Sequence, residues 1–336
     1  MRVVATPSVV EVKAIVQQVY GSSAMLAVAD VGRPEAGAGQ VLVRVRAASV
    51  NARDWHVMRG DPKIARWMDR SVFRRKGPAN PVQGGDFAGT VEAVGDGVTD
   101  VAVGDEVFGE AVSGAFAEYL AVPRALLDRK PKNLSFEEAA AVPLAANTAL
   151  TCLRHVDAGN RVLIIGASGG VGTFAVQIAR ARGAEVTGVC STRNVEAARA
   201  LGAAHVVDYT RETVTGRYDT VLDLAGTRGL RELLRLVEPT GTLVLSGGGN
   251  FDGGSVFGPV GLLALGQLAR PFVKPSIRGP LAQQSPESLT ELRELIESGQ
   301  VRPAIDRTYP LAETPAAISY MESEHARAKI VITVAA

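Results

Sequence analysis

The spacing of hydrophobic positions separates a first part of the chain with β-like patterning from a middle part of alternating strands and helices. Hydrophobic and polar residues alternate with a period of two over residues 41–46, as in a half-buried strand, and a second strand is predicted at residues 89–94. Glycine and aspartate follow such runs at 95–97 and 104–105, where they favour turns. Up to about residue 135 the sequence therefore predicts an irregular, mostly β domain.

The pattern changes between about residues 140 and 250, where short apolar runs alternate with helical periodicity. The predicted strands are residues 161–167, 185–190, 205–209, 218–224 and 242–246, and the predicted helices are residues 171–182 and 195–201. Near-continuous apolar strands separated by helices indicate a parallel sheet that is covered on both faces. The fold class predicted for this region is therefore α/β, with a doubly wound parallel sheet.

The last part of the chain contains one well-marked helix and a final strand. Ser285 can cap a helix, Pro286 suits its first position, and Gly299 lies just past its expected end. A helix is therefore predicted over residues 285–298. The apolar residues 329–334 predict a strand that returns to the first domain.

A glycine-rich segment joins the predicted strand 161–167 to the helix that follows it. Ala167, Gly169 and Gly172 occupy the three glycine positions of the G-x-G-x-x-G pattern, and the alanine departs from its strict form. The second glycine lets the backbone approach a pyrophosphate, and the third lets the helix pack on the strand. A tight turn without a ligand is the alternative, but the surrounding βαβ series favours dinucleotide binding. The residues assigned to this phosphate site are Ser168, Gly169, Gly170 and Val171.

The end of the next strand indicates which nicotinamide dinucleotide is bound. Proteins that prefer NAD place an acidic residue about 20 positions after the glycine turn, where it binds the ribose 2′-hydroxyl. Here the strand 185–190 is followed instead by Ser191, Thr192 and Arg193. Hydroxyls and a guanidinium suit a 2′-phosphate, so NADPH is the predicted cofactor. Ser191 or Thr192 can also cap the next helix, and both roles are compatible.

Composition excludes several classes of partner. The chain has 336 residues and a formal net charge of +1, so a nucleic-acid partner is not expected. No run reaches the roughly 18 apolar residues needed to span a bilayer, and no signal peptide is recognised. Cys152 and Cys190 are too few for a disulfide framework or a four-thiolate zinc site. A reducing cytoplasm is the expected location.

Several further segments, read together with the glycine turn, are specific enough to indicate a family. They are residues 48–54, 84–91, 103–109, 114–119 and 139–150. With these segments the chain resembles the medium-chain dehydrogenase/reductase superfamily, and within it the zinc-free, zeta-crystallin-like quinone oxidoreductases. The resemblance implies a GroES-like, mostly β catalytic domain formed by residues 1–138 and 277–336, and a Rossmann NADPH-binding domain formed by residues 139–276. It also implies a cofactor in the cleft between the domains, and a homodimer.

The zinc alcohol dehydrogenases of this superfamily differ at the positions that bind metal. They have cysteine where this chain has Asn51, and Gly-His-Glu where it has residues 85–87. His56 and Asp54 are close in sequence, but no third ligand with suitable spacing is evident, so no metal is predicted. Without a Lewis acid, the easier hydride acceptors are those that delocalise the incoming charge, such as quinones and enones.

The resemblance also implies roles for individual side chains, each with a plainer alternative. Asn51 is expected in the substrate pocket and near the nicotinamide, where its amide can donate to an acceptor carbonyl; the alternative is a cap or turn residue. Thr148 is expected to approach the nicotinamide, and otherwise lies inside a helix. Tyr209 is expected beside the adenine ribose, and otherwise packs at a strand end.

Three more positions complete the expected site. Ser246, Gly247 and Gly248 are expected to supply backbone along the nicotinamide, and the alternative is a flexible loop. Lys329 resembles a lysine near the cofactor of many relatives, and the alternative is a solvated lysine.

His56 is a candidate proton donor with Asp54 as its orienting group, although a histidine beside Trp55 is more often structural. The basic residues of segment 63–76 are expected either to cover the pocket mouth or to form a solvated helix face. Residues 251–274 are expected to form a dimer contact, the far wall of the pocket or an internal helix.

Three functions remain in contention. The first is reduction of a quinone by NADPH, and the second is reduction of an enone or enoyl C=C bond in a biosynthetic pathway. The third belongs to another class, a non-catalytic NADPH-binding sensor or scaffold. The cofactor turn alone does not separate them.

Overall fold

The computed structural model describes residues 10–247, 254, 256–279, 284–324 and 326–335. Its strands are β1 (Glu11–Val16), β2 (Ala27–Gly32), β3 (Gln40–Val50), β4 (Asp86–Val94), β5 (Glu106–Glu110), β6 (Tyr119–Pro123), β7 (Leu127–Arg129), β8 (Arg161–Ile165), β9 (Glu185–Cys190), β10 (His205–Asp208), β11 (Tyr218–Asp223), β12 (Val237–Leu245), β13 (Ser276–Arg278), β14 (Ile305–Pro310) and β15 (Lys329–Thr333).

The α-helices are α1 (Ala52–Arg59), α2 (Ala65–Met68), α3 (Phe136–Ala140), α4 (Pro143–Cys152), α5 (Gly170–Ala181), α6 (Val195–Ala200), α7 (Leu230–Arg235), α8 (Pro259–Ala269), α9 (Pro286–Glu297) and α10 (Thr314–Glu324). Short 3-10 helices lie at Ser23–Met25, Arg124–Leu126, Thr192–Asn194, Arg270–Phe272 and Leu311–Glu313.

The middle of the chain forms a parallel sheet with the strand order β10-β9-β8-β11-β12-β13. The series runs from β8 towards β10 on one side and from β11 towards β13 on the other. In sheets of this kind, ligands bind outside the carboxyl ends of the strands at the point where the order reverses, here between β8 and β11. The predicted α/β fold with a parallel sheet is confirmed. Its last strand, Ser276–Arg278, begins at the predicted domain boundary and extends beyond it.

Both ends of the described chain contribute to a second sheet, with the order β14-β15-β3-β4-β5-β7, and β6 also pairs with β3. The final strand β15 is antiparallel to β3, so that Ile330 lies opposite Val50 and Val331 opposite Ser49. The strand predicted at the end of the chain therefore returns to the first sheet, as expected. β1 and β2 form a separate two-stranded sheet.

Helix α9 shows how local sequence sets the element boundaries. The Ser285 hydroxyl accepts from the Ser288 N–H at 3.2 Å, and Pro286 takes the first turn. Gly299 follows the helix with a φ of +76°, a conformation that favours glycine. The sequence did not predict α4, because its alanine-rich run has no polar face that would mark an amphipathic helix.

The two sheets share a hydrophobic core around α4. This core contains Ala47 and Phe108 from the mostly β sheet and Ile164 and Phe174 from the parallel-sheet side. The packing is therefore continuous across the junction between the two halves. No helix in the described ranges is long and apolar enough to span a membrane.

Candidate active site

The predicted phosphate turn lies at the carboxyl end of β8 and opens α5. A Cβ on Gly172 would lie 2.1 Å from the Gly166 carbonyl oxygen, so only glycine allows the helix to approach this closely. Gly169 stands at the N-cap without a side chain to cap the helix, and residues Ser168 to Val171 are half-buried. The N–H groups at the start of α5 are therefore available to an anion, and the turn fits a dinucleotide pyrophosphate.

Asn194 connects this turn to the end of the neighbouring strand β9. Its buried side-chain Nδ2 donates to the Ser168 Oγ at 3.0 Å and to the Ser191 Oγ at 3.2 Å. Because Asn194 is the donor, the Ser191 hydroxyl hydrogen is left for another acceptor. Asn194 was not predicted as a site residue, although its position three residues after Ser191 could have suggested it.

An acidic residue that the sequence analysis missed lies on the next strand. Asp208 ends β10 and pairs with Cys190 in the parallel register, so its carboxylate stands beside the end of β9. The Thr192 Oγ1 donates to Asp208 at 2.6 Å and the Thr210 Oγ1 at 2.7 Å, and these hydrogen bonds lower the pKa of Asp208. Arg211 Nε lies 3.6 Å from the same carboxylate.

The Thr192 hydroxyl, which the sequence suggests as a donor to a 2′-phosphate, thus donates to Asp208 instead. Arg193 and Tyr209 lie on the same rim, at the ends of β9 and β10, and the Tyr209 side chain is 57% exposed. Ser191, Arg193 and Tyr209 are therefore placed together.

Four buried polar side chains meet where β3, β4 and β15 converge, and we call them the buried cluster: Ser49, Asn51, Asp86 and Lys329. Asp86 Oδ2 accepts from the Asn51 Nδ2 at 2.9 Å and from the Ser49 Oγ at 3.0 Å, and lies 3.6 Å from the Lys329 Nζ. Lys329 Nζ also donates to the Asn51 Oδ1 and to the Val50 carbonyl oxygen. Both ends of the Asn51 amide are therefore engaged by neighbouring side chains.

Burial and mutual attraction act in opposite directions on the two charges of this cluster. Burial raises the pKa of Asp86, and the nearby Lys329 ammonium opposes that change. Burial lowers the pKa of Lys329, and Asp86 opposes it in turn. Each charge is thus the main compensation for burying the other.

The buried cluster is joined to the phosphate turn through the residue before Lys329. The Ala328 N–H donates to the Ser168 carbonyl oxygen at 2.8 Å, and Ala328 forms a parallel bridge with Gly169. A Cβ on Gly170 would lie 3.2 Å from the Lys329 Cδ. Lys329 therefore lies against the start of α5, close to where a dinucleotide would bind.

Two further carboxyl groups border the buried cluster. Asp54 accepts from the Asn51 N–H at 2.7 Å, and burial raises its pKa to about 7. Glu110 pairs with Arg53 at 2.9 Å, and burial together with the charge of Asp86 raises its pKa to about 7. Burial thus raises the pKa of both carboxyl groups beside the buried cluster.

Helix α4 lies beside the buried cluster. The Leu144 N–H donates to the Asp86 Oδ1 at 3.1 Å, and the Thr148 hydroxyl donates to the Leu144 carbonyl at 2.7 Å. Leu144 and Thr148 are half-buried, one turn apart on the same helix face. Asn147 lies next to Thr148, 1% exposed, and neither of its amide atoms has a hydrogen-bond partner among the described residues.

The loops after β11 and β12 lie at the carboxyl edge of the parallel sheet. Asp223 Oδ1 accepts from the Gly226 N–H at 3.1 Å, and the Ser246 N–H donates to the Asp223 carbonyl at 3.0 Å. A Cβ on Gly247 would lie 2.6 Å from the Gly226 nitrogen, so the two loops are in contact. Gly248, which was also expected to supply backbone along the nicotinamide, lies outside the described residues.

His56 is half-buried on α1, with its Nδ1 2.8 Å from the Asp61 carbonyl oxygen and its ring edge-on to Trp55. Asp54, expected to orient His56, instead accepts from the Asn51 N–H because both residues lie at the start of α1. The carbonyl of Asp61 takes the orienting position.

The basic segment contains the short helix α2, whose Trp67 and Met68 side chains are exposed. Arg66 is held to the body of the molecule, since its Nε donates to the Gly60 carbonyl at 2.7 Å. The Ile64 N–H donates to the Val256 carbonyl at 3.3 Å. The segment thus reaches across to the parallel-sheet half of the molecule.

Models of two known domain families match the chain. An alcohol dehydrogenase GroES-like domain matches residues 37–132, and a zinc-binding dehydrogenase domain matches residues 201–332. The mouse mitochondrial NAD(P)H oxidoreductase RTN4IP1 is 35% identical over 88% of this chain and 82% of its own length. The chain belongs to the medium-chain dehydrogenase/reductase superfamily. It is a quinone oxidoreductase-like reductase that uses a nicotinamide cofactor, as the sequence predicted.

Two further relatives of the reductase carry more specific names. An Arabidopsis thaliana chloroplastic NADPH-dependent alkenal/one oxidoreductase is 32% identical over 96% of this chain and 79% of its own length. The solved structure of a quinone oxidoreductase from Coxiella burnetii is 30% identical, covers 97% of this chain and 100% of its own, and superposes with a TM-score of 0.83.

The raised pKa of Asp54 predicts how the stability of the reductase depends on pH. The pKa lies near 7 in the folded chain and at the ordinary 3.8 when the carboxyl is free, so stability falls as the pH rises from about 4 to 7. Asp54→Asn has no charge to bury. Its melting temperature relative to wild type should therefore rise by roughly 2 °C or more between pH 5 and pH 8 in thermal melts. Asp96→Asn, in an exposed turn, is the control; a parallel course of both variants would contradict the assignment.

Proposed function

We propose that this reductase transfers a hydride from NADPH to a quinone without the help of a metal ion. The observation that carries the proposal is the Lys329 ammonium, which lies between the side chains of Asn51 and Asp86. In the zinc alcohol dehydrogenases those two positions correspond to a cysteine and a histidine that bind metal. Here an ammonium already supplies positive charge to that space, and a second cation beside it would be repelled.

The absence of a Lewis acid from the proposed mechanism restricts the acceptor. A simple ketone would gather charge on one oxygen, whereas a quinone or an enone spreads it over a conjugated system. The Coxiella burnetii structure is named a quinone oxidoreductase, and it supports the quinone. The Arabidopsis relative is named an alkenal/one oxidoreductase, and it favours an enone or enoyl C=C bond as the second candidate. A non-catalytic NADPH sensor is the third.

NADPH is the proposed cofactor because the rim beside the adenosine position carries Ser191, Arg193 and Arg211. Glu212 accepts from the Asp208 N–H at 3.2 Å, and the Asp208 carboxylate is occupied by Thr192, Thr210 and Arg211. It is therefore engaged rather than directed at a ribose hydroxyl, and a 2′-phosphate would meet donors and positive charge.

The nicotinamide, when bound, supplies the hydride, and the residues of this chain bind, orient and exclude water. The N–H groups of Gly170 and Val171 bind the pyrophosphate, and the half-buried face of α4 at Leu144 and Thr148 sets one wall of the reaction space. Positioning of this kind is the main contribution that a protein can make to hydride transfer between a cofactor and a conjugated acceptor.

Turnover by the chelator-treated protein tests the proposed function. NADPH oxidation is followed with 1,4-naphthoquinone and with a simple enone, and the products are identified. Reduction of the quinone without metal is the expected result, and faster reduction of the enone would favour the second candidate. Binding of NADPH without turnover of either compound would favour the non-catalytic alternative.

The cofactor preference is tested by removing one guanidinium. Arg193→Ala should raise the dissociation constant of NADPH by roughly tenfold, as expected for loss of a charge-assisted contact, and change that of NADH little. Arg199→Ala, which removes an exposed arginine from α6 nearby, is the control. Equal effects of Arg193→Ala on both dinucleotides, measured by fluorescence titration, would exclude a 2′-phosphate contact.

We also propose a homodimer that works in the cytoplasm. Helix α8 and the 3-10 turn after it expose Leu265, Leu268 and Phe272, the last at 86%. They lie beside β13, the edge of the parallel sheet among the described strands. An apolar face next to a sheet edge suits a second copy of the chain. Cys152 and Cys190 are buried free thiols, as suits a reducing compartment.

A charge on this face should dissociate the dimer. Leu268→Arg is expected to shift the mass measured by light scattering from two chains to one, because an arginine would be buried without a partner in the interface. Val103→Arg, at a similarly exposed valine on a distant turn, should leave the mass unchanged. A dimer that survives Leu268→Arg would place the interface elsewhere.

A further inference from the structure

Lys329 is an unusual lysine because its whole side chain is buried. It is 2% exposed and belongs with tryptophan and phenylalanine among the largest side chains of the interior. The flexible stem of a lysine at a strand end normally lets the ammonium reach water. Burying the charge is unfavourable unless neighbouring groups compensate, so a purely structural role is poorly served by it.

We propose that Lys329 is a positioning residue for hydride transfer, which sets the Asn51 amide on one side of the cleft and supports the phosphate turn on the other. The inference rests on the proposed NADPH-linked reduction and assigns a role within it. Lys329 acts through its neighbours, and no contact with the substrate is assigned to it.

Lys329 and Asp86 together set the orientation of the Asn51 amide. An amide has an acceptor end and a donor end, and the two can exchange by rotation about the side chain. Lys329 Nζ donates to the Asn51 Oδ1, while the Asn51 Nδ2 donates to Asp86 at 2.9 Å. An ammonium can only donate and a carboxylate can only accept, so the pair allows a single orientation of the amide.

Ala328 and Lys329 also contact the phosphate turn. Ala328 has a φ of +57°, a left-handed conformation that is unfavourable for a non-glycine residue. That geometry accompanies the 2.8 Å hydrogen bond from the Ala328 N–H to Ser168 and places the Lys329 stem against Gly170. The turn, the ammonium and Asn51 are therefore linked through consecutive contacts.

Several charged groups surround Lys329. The lysine faces three carboxyl groups from different elements: Asp86 on β4, Asp54 on α1 and Glu110 on β5, with Arg53 beside the last. The Lys329 ammonium lowers the pKa of Asp86 and Asp54 against the effect of burial. Loss of the ammonium should therefore raise both pKa values, so that groups near the cleft protonate at higher pH.

The test compares Lys329→Met with Lys130→Met. Methionine keeps the length of the stem and removes the charge. Lys130 is a matched control: its side chain is 7% exposed, pairs with Glu106 at 3.2 Å and donates to the Leu134 carbonyl at 2.6 Å, in a part of the mostly β sheet that does not contact the turn.

Lys329→Met should raise the dissociation constant of NADPH roughly tenfold. It should lower kcat/KM by roughly tenfold to a hundredfold, as expected when reacting groups are displaced slightly. The acid limb of its pH profile should move to higher pH. Lys130→Met should lower the melting temperature and leave all three quantities near wild type.

A second variant protects the test against a folding defect. In Lys329→Met the Asp86 carboxylate is left buried without its cation, which is strongly destabilising. Adding Asp86→Asn removes that orphan charge, so the double variant should recover melting temperature beyond the sum of the single effects. Its NADPH affinity should stay low, because the ammonium is still missing beside the turn.

The outcomes separate the two proposals. The role of Lys329 would be overturned if the wild-type protein turns over and the two variants, Lys329→Met and Lys130→Met, have equal NADPH affinity, kcat/KM and pH profiles. Recovery of wild-type affinity in the double variant would show a structural role only. If wild type binds NADPH without turnover, the proposed reaction fails, while the binding comparison still decides whether Lys329 supports the turn.

Discussion

The structure depends on the burial of one ammonium between an amide and a carboxylate. Lys329, Asn51 and Asp86 come from β15, the end of β3 and the start of β4, so their contacts form only when the two chain ends return to one sheet. Either charge would be costly to bury alone at this site. As a pair, the two charges favour the arrangement of strands that brings them together. The same lysine touches the start of α5, so it links the sheet that carries the cluster to the sheet that carries the phosphate turn, in addition to their shared core.

Elements whose pattern is local could be predicted from the sequence. The apolar run of β8, the glycines that admit α5 and the cap of α9 are each determined by neighbouring residues, and the structure has them close to the predicted positions. The contact between Lys329 and Val50 joins residues 279 positions apart, and no local pattern reports it. Asp208 was missed for a related reason: it stands beside Cys190 only because β10 pairs with β9.

Side-chain chemistry was harder to predict than position. Asn51 and Thr192 were expected to donate to a ligand, yet their side chains donate to Asp86 and Asp208. Each of those carboxylates is contributed by a neighbouring strand. The proposed reaction fits this arrangement, because a quinone or an enone needs a fixed approach to the hydride donor more than it needs a strong acid or a metal.

A crystal structure of the protein with NADPH tests the account most directly. It should show the pyrophosphate on the N–H groups of Gly170 and Val171, the 2′-phosphate beside Ser191 and Arg193, and the nicotinamide between the α4 face at Thr148 and the buried cluster. NADPH bound outside the cleft, or bound there with its nicotinamide remote from both α4 and Lys329, would contradict the proposed site.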